Sequence, residues 1–207
     1  MTSATVPAAR RARPAAPSRP RRAPAPSYLL LPGAPLIETE RMTLRHFRRD
    51  DIRAFAKTMA DPNVVRHIGG EPNDHEDAWR KLLTGAGFWS LMGIGMWAVE
   101  RRSDQRLIGH LGFFDFQRDM RPSLAGEPEM GWVFNPVAHG KGYATEACEA
   151  ALDWFDRTQP AASIPAIIAC ENAPSMRLAE RLGFKRQADA TYRGEPIALF
   201  RRPKQRR

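Results

Sequence analysis

One stretch decides the fold of this chain: Val133-Phe134-Asn135-Pro136-Val137-Ala138-His139-Gly140-Lys141-Gly142-Tyr143-Ala144-Thr145-Glu146-Ala147. It reads as the end of a strand, a turn containing proline, two closely spaced glycines and the beginning of an amphipathic helix. This order leaves backbone N–H groups unpaired at a helix N-terminus, where they can bind the oxygens of a phosphate or pyrophosphate. Glycine has no Cβ and therefore lets a ligand approach the backbone. The stretch predicts a binding site for a phosphorylated ligand.

Two common nucleotide-binding motifs do not fit this stretch. A P-loop needs Gly-x-x-x-x-Gly-Lys-Ser/Thr, whereas Lys141 lies between the two glycines. A dinucleotide-binding fingerprint needs a third small residue three positions after the second glycine, where this chain has Thr145. The stretch also follows several predicted strands instead of opening the fold. Both kinds of site are therefore excluded.

The formal net charge of +9 over 207 residues is concentrated at the two ends of the chain. Residues 1–35 are rich in Ala, Pro and Arg and contain no acidic residue, and residues 36–200 are close to neutral. We expect a disordered tail at 1–35, a folded domain at 36–202 and a basic C-terminal tail at 203–207. Contact of the first tail with nucleic acid or the ribosome, or a targeting role, stays open as an alternative.

Several function classes are disfavoured by composition. No run approaches 18 apolar residues, so no membrane span is predicted. The five histidines show no paired metal-ligand spacing, so no metal is expected. Cys148 and Cys170 fall within predicted elements, which favours reduced thiols in a cytoplasmic protein.

Hydrophobic periodicity predicts the order β-α-α-β-β-β-α-β-α-β-β. Strands are expected at 42–47, 96–100, 107–116, 129–134, 164–170, 184–189 and 195–200, and helices after Asp50 or Asp51, after a capping box Asn73-x-x-Glu76, at 143–158 and at 172–182. The run of strands in the middle predicts antiparallel pairing, and the later β-α-β unit predicts a parallel pair. The predicted fold class is α/β, a mixed sheet of about seven strands with four helices on both faces.

Three segments together resemble the GNAT acyltransferase superfamily over about residues 36–202. The segment 139–144 is similar to its pyrophosphate loop, Gln/Arg-x-x-Gly-x-Gly/Ala, with His139 in the first place. Asn172-Ala173-Pro174-Ser175, followed by Leu182-Gly183-Phe184, resembles the branch that contains the ribosomal-protein N-terminal (alanine/serine) acetyltransferases. The opening segment 38–45 is also similar to that branch.

The resemblance implies an N-acetyltransferase that uses acetyl-CoA as co-substrate, with no metal. The acceptor would be a primary amine, on a small molecule or a protein N-terminus, that attacks the thioester directly. Backbone groups of the strand would pair with the pantetheine, and those of the loop with the pyrophosphate. The residues implied in cofactor binding are Trp132, Val133, Phe134, His139, Gly140, Lys141, Gly142, Tyr143, Ala144, Thr145, Asn172 and Ser175.

The resemblance also implies catalytic roles. Ser175 would protonate the leaving thiolate, because the position that is tyrosine in many members is Ala179 here. Glu129, at the start of its strand, is the candidate general base, with Asp115, His110 and His67 as open alternatives.

Other readings stay open at this point. The chain would also fit an acyl-CoA-binding module without turnover, and a homodimer is compatible with its strand edges. Acceptor specificity is expected from the first two helices and the loops 117–128 and 185–195. There Arg118, Arg121 and Arg193 are by default solvated loop charges, with contact to an acidic substrate as the alternative.

Overall fold

The computed structural model describes residues 33–205, so most of the predicted tail at 1–35 lies outside the described residues. The last residues of this predicted tail already belong to the fold. The Ala34 N–H donates to Nδ1 of His46 at 3.3 Å, and the Pro35 carbonyl accepts from Trp97 Nε1 at 2.8 Å. The folded part therefore begins slightly before residue 36.

Within this range, strands and α-helices follow one another nearly as predicted. The strands are β1 (Ile37–Glu38), β2 (Met42–Arg45), β3 (Met96–Arg101), β4 (Arg106–Phe114), β5 (Glu129–Phe134), β6 (Ser163–Ala169), β7 (Lys185–Tyr192) and β8 (Glu195–Pro203). The helices are α1 (Ile52–Met59), α2 (Pro62–Val65), α3 (His75–Met92), α4 (Tyr143–Thr158) and α5 (Ala173–Arg181). The two-residue β1 and the four-residue α2 are additions to the predicted order.

The strands form two sheets, a five-stranded one in the order β1-β2-β3-β4-β5 and a three-stranded one in the order β6-β8-β7. All ladders among residues 33–205 are antiparallel. The predicted parallel hydrogen-bonded pair is wrong, because β8 lies between β6 and β7 and pairs with both. Strands β5 and β6 contact one another across the gap between the sheets. The architecture is therefore a mixed α/β fold with an opening between β5 and β6.

Helices cover both faces of the larger sheet. Helix α4 packs its buried stripe on one face, against residues such as Leu111 and Phe113 of β4. Helices α1 and α3 cover the opposite face, where Phe55 and Leu82 join a cluster with Ala98 and Phe114. Because side chains alternate between faces along a strand, neighbouring residues of β5 point into two different layers.

Two buried ion pairs tie the layers together. Arg45 of β2 holds Asp51 at 2.7 and 2.8 Å, at the beginning of α1. Arg202 of β8 holds Asp156 of α4 at 2.7 and 3.0 Å. Arg45 has a second carboxylate partner in Glu100 at 2.8 Å, whereas removing Asp156 would leave the buried charge of Arg202 without one, which typically destabilises a protein by about 3–5 kcal/mol.

Two local predictions need correction. The capping box Asn73-x-x-Glu76 is wrong, because Asp74 occupies the N-cap of α3 and accepts from the N–H of Asp77 at 2.8 Å. The tail predicted at 203–207 begins too early. Strand β8 continues to Pro203, and the N–H groups of Lys204 and Gln205 donate to the body of the fold at 2.8 and 3.2 Å.

Candidate cofactor and acceptor site

The loop between β5 and α4 presents a row of backbone donors. A single 3-10 turn (Pro136–Ala138) follows β5, and α4 begins at Tyr143. Among the hydrogen bonds of residues 33–205, none uses the backbone N–H groups of 140–145. The first helical bond of α4 runs from the N–H of Glu146 to the carbonyl of Gly142 at 3.1 Å. The donors therefore stand free at the positive end of a 16-residue helix.

Both glycines of the loop have the left-handed backbone conformation that disfavours other residues. Gly140 has φ 70° and Gly142 has φ 79°. A Cβ on Gly140 would meet no protein atom within 4 Å, so it would project into open space above the loop. A Cβ on Gly142 would lie 3.3 Å from Nη2 of Arg41. An open depression of about 420 Å³ adjoins Gly142, Thr145 and Arg181.

His139 uses its N–H within the loop itself, and its predicted contact with the cofactor stays untested. The N–H donates to the carbonyl of Pro136 at 3.1 Å and closes the 3-10 turn. The ring Nε2 lies 3.0 Å from the carbonyl oxygen of Phe134. His139 therefore braces the loop against the end of β5.

The other side chains of the loop have structural partners. Lys141 donates its Nζ to the carbonyl of Val137 at 2.9 Å, so its ammonium group folds back over the turn. Tyr143 packs against the main core. Thr145 Oγ1 accepts from Nη1 of Arg181 at 3.4 Å, and Ala144 is half-buried against the core. Ligand binding by this loop thus falls to its main chain.

Arg41, which no sequence pattern singled out, fastens this loop from a distant part of the chain. Its Nε donates to Glu146 at 2.6 Å, its backbone N–H donates to the same carboxylate at 2.9 Å, and its Nη1 donates to the carbonyl of Lys141 at 2.8 Å. The guanidinium also lies 4.6 Å from the centre of the Tyr143 ring. The only signal was the resemblance of segment 38–45, because local periodicity cannot connect residues 100 positions apart.

The outer edge of β5 provides further main-chain groups. The Asn135 N–H donates to the Ile108 carbonyl of the β4 ladder at 2.9 Å. Hydrogen-bonded pairs alternate along an antiparallel ladder, so Val133 also directs its main-chain groups to β4. The main-chain groups of Val133 thus do not face the opening, and its contact with pantetheine stays an untested prediction. Trp132 and Phe134 have the opposite parity, and their N–H groups face the opening beside β6.

Asn172 and Ser175 lie at the beginning of α5, directly after β6. Asn172 is the N-cap, and its Oδ1 accepts from the N–H of Ser175 at 3.2 Å. Neither Nδ2 of Asn172 nor Oγ of Ser175 takes part in a hydrogen bond within residues 33–205. The capping role is thus present, and both polar atoms stay available to a ligand.

The candidate base Glu129 is held in a bidentate ion pair. Its two carboxylate oxygens accept from Nε and Nη2 of Arg118 at 2.6 and 2.8 Å, and the two side chains are only 7% and 17% exposed. The guanidinium of Arg118 also lies 4.6 Å from the Phe116 ring and 4.7 Å from the Tyr192 ring. We call these four side chains the acceptor wall. Sequence reasoning treated Arg118 as a solvated loop charge, and that reading is wrong.

The alternative bases have contacts that disfavour the role. Burial lowers the pKa of His110 to about 3, and the charge of Lys81 acts in the same direction, so the ring stays neutral and weakly basic. Asp115 closes its own loop by accepting from the N–H groups of Gln117 and Gly126 at 3.2 and 3.1 Å. His67 stays an untested prediction.

Within residues 33–205, no group of three or more His, Cys, Asp or Glu side chains is arranged to hold a metal ion. None of the described helices is both long and apolar enough to cross a membrane. Cys148 is fully buried, which raises the pKa of its thiol, and Cys170 is half-buried.

Comparison with protein families gives a match to the acetyltransferase (GNAT) domain over residues 41–185. The uncharacterized N-acetyltransferase YnaD of Bacillus subtilis (strain 168) is 31% identical over 153 residues, which are 73% of this chain and 83% of YnaD.

Solved structures agree with this match. A GnaT-family acetyltransferase from Bordetella pertussis superposes with a TM-score of 0.72 at 27% identity, covering 82% of this chain and 99% of that one. RimL, a ribosomal L7/L12 alpha-N-protein acetyltransferase in complex with coenzyme A, gives a TM-score of 0.67 at 11% identity, covering 82% and 98%. At that identity the second likeness concerns the fold alone.

Proposed function

This chain belongs to the GNAT acetyltransferase family, and on that premise we propose that it transfers the acetyl group of acetyl-CoA to a primary amine. The observation that carries the proposal is the row of unpaired N–H groups at 140–145, at the N-terminus of α4. Such groups bind the pyrophosphate of a nucleotide through hydrogen bonds and the helix dipole. Acetyl-CoA supplies this pyrophosphate together with an activated thioester.

The edge of β5 fits the pantetheine arm. The N–H groups of Trp132 and Phe134 face the opening between the sheets, where an extended amide chain can pair with them as an added strand. One of these donors polarises the thioester carbonyl and stabilises the charge that develops there when the amine attacks. This charge stabilisation is supplied by rigid main-chain groups that need no rearrangement.

Ser175 is proposed as the acid. The amine nitrogen forms a bond to the acetyl carbon, the carbon–sulfur bond breaks, and the Ser175 hydroxyl donates its proton to the thiolate and regains one from water. Asn172 holds the first turn of α5 through the N–H of Ser175 and directs its free Nδ2 to the pantetheine. Both assignments rest on polar atoms that the fold leaves uncommitted.

Glu129 remains a candidate for accepting the amine proton, but its contacts support a different role. Both carboxylate oxygens of Glu129 already accept charged hydrogen bonds from Arg118. If one of these oxygens took up the amine proton instead, the guanidinium would lose part of its pairing. We therefore propose that Glu129 positions Arg118 and that the amine loses its proton to water in the cleft.

Calorimetric titration of the full chain with acetyl-CoA tests the cofactor, with NAD and ATP as controls. Selective binding of acetyl-CoA is expected. Equal or stronger binding of another nucleotide, or no binding, would overturn the reading of the loop. Mass spectrometry of a panel of primary amines after incubation tests the transfer. Binding without any acetylated product would instead support an acyl-CoA-binding module.

The nature of the acceptor, a small amine or a protein N-terminus, belongs to the proposal. So do a cytoplasmic location and a homodimer. Nucleic-acid contact through residues 1–35 is an alternative with its own test: binding to RNA should weaken steeply with salt and disappear when that segment is removed.

A further inference from the structure

The middle of β5 has an open side on the face that α1 and α3 cover. Gly131 lies between Glu129 and Val133 and shares their face of the sheet. A Cβ on Gly131 would meet nothing nearer than the Phe114 ring at 3.7 Å. This space adjoins the strand that would hold the thioester, so an attacking amine would occupy it.

The acceptor wall lies beside this space and contributes aromatic rings and the ion pair between Arg118 and Glu129. Phe114 contacts Phe116 with ring centres 4.8 Å apart, and Phe88 of α3 lies 5.5 Å from Phe114. The exposed fraction of Phe116 is 43%, which is large for an aromatic side chain. The charge of Arg118 is balanced by its ion pair with Glu129.

Two further cations, both exposed, lie near the acceptor wall without an ion-pair partner among the described residues. Arg193 stands at the tip of the β7–β8 hairpin, with its guanidinium 5.4 Å from the centre of the Tyr192 ring. Lys81 lies on α3, and burial and the charge of Arg193 lower its pKa. Within residues 33–205, neither side chain forms an ion pair or a hydrogen bond.

The charged groups around Arg193 and Lys81 do not neutralise them. Asp77, one helical turn before Lys81, acts on it favourably but is shared with Arg80, which approaches its carboxylate at 3.5 Å. His110 is neutral because of its lowered pKa. Arg193 and Lys81 therefore repel one another, and an anion bound to both would relieve that repulsion.

The backbone places Arg193 in the turn at the tip of the hairpin. The residue has φ 53° and the following Gly194 has φ 84°, which is the pattern of a tight two-residue hairpin turn.

We propose that the acceptor is a primary amine that also carries a carboxylate or phosphate group, and that Arg193 and Lys81 bind this group. The inference rests on the proposed function, because it assigns the amine of the same molecule to the space beside Gly131. The Tyr192 ring and the acceptor wall form the apolar side of the same cleft.

Matched amines that differ in one anionic group provide the test. The probes are β-alanine against β-alanine amide, and O-phosphoethanolamine against ethanolamine. Each is titrated into the full chain saturated with coenzyme A, and each is also assayed for turnover with acetyl-CoA. The variants are Arg193→Asn, which tolerates positive φ, and Lys81→Gln. Lys185→Gln is the matched control, because it removes a cation from the opposite end of the same hairpin.

The anionic member of at least one pair should bind about tenfold or more tightly than its neutral counterpart, as expected for charged hydrogen bonds. Arg193→Asn and Lys81→Gln should abolish this preference, and Lys185→Gln should retain it. Equal affinity within both pairs, or no binding of any probe, would overturn the inference. Turnover without an anionic preference overturns only this inference, whereas anionic preference in binding without any turnover retains it and contradicts the proposed transfer.

Discussion

The cofactor loop (residues 139–145) and the acceptor wall are built in opposite ways. The loop offers main-chain N–H groups from six consecutive residues, 140–145, and the side chains of His139 and Lys141 bind the end of β5 and the turn that follows it. The wall consists of four side chains, Phe116, Arg118, Glu129 and Tyr192, from segments up to 76 positions apart. Main-chain recognition can thus be encoded locally, whereas side-chain recognition depends on the whole fold.

The largest effect is expected at Ser175, the proposed acid in the first turn of α5. Ser175→Ala should lower kcat by about 100-fold or more, because a positioned acid typically contributes that much. The dissociation constant for acetyl-CoA should hardly change, since Asn172 caps α5 by accepting from the Ser175 N–H and the hydroxyl takes no part. Steady-state kinetics and calorimetry separate the two quantities, with the exposed Ser90→Ala as control. An unchanged kcat would remove Ser175 as the acid.

The next largest effect should come from Gly142→Val, which tests main-chain recognition directly. The left-handed conformation is strained for valine, and its Cβ would crowd Arg41. We expect acetyl-CoA to bind about 10- to 100-fold more weakly, in line with the usual strain at such positions. Gly87→Ala is the control, because Gly87 lies in α3 with open space around it. A folded Gly142→Val variant with wild-type affinity would contradict the assignment of the loop.

The difference between the two regions also explains what the sequence could predict. Strand β5 and helix α4 were predicted with their observed bounds, and the loop between them carries its signal in two glycines. The sheet order escaped prediction, because β8 enters between β6 and β7 through pairing with residues far away in sequence. The ion pair between Glu129 and Arg118 could not be predicted either. Arg118 lies in an irregular loop, where spacing does not indicate which way a side chain turns.

Glu129→Gln tests whether the wall positions the acceptor or removes its proton. We expect kcat/KM for the acceptor to fall about tenfold through a higher KM, because Arg118 loses a charged partner. The pH–rate profile should keep its shape. Arg118→Gln should have a similar effect, and the double variant should be no worse than the poorer single variant, since the two residues act as one unit.

A different result is expected if Glu129 is the general base, as predicted from the sequence. A general base contributes to kcat, so its loss should remove the acidic limb of the pH–rate profile while Arg118→Gln retains it. Thermal unfolding of each variant must accompany the kinetics, because breaking a largely buried ion pair also destabilises the fold.

The smallest effect is expected for Arg41→Ala, which tests whether the cofactor loop depends on a side chain from a distant part of the chain, as the acceptor wall does. Arg41 ties the cofactor loop to the beginning of β2 through Glu146 and the carbonyl of Lys141, so the loop is not wholly local. The Arg41 side chain is 41% exposed, and exposed ion pairs are weak, so Arg41→Ala should weaken acetyl-CoA binding by on the order of fivefold. Arg41→Lys should recover part of that loss, and Arg106→Ala, an exposed arginine on the adjacent hairpin, should have no effect. If Arg41→Ala binds acetyl-CoA as tightly as the wild type, the seven-residue loop is sufficient by itself. A loss as large as that of Gly142→Val would mean that the loop, like the wall, depends on a side chain from a distant part of the chain.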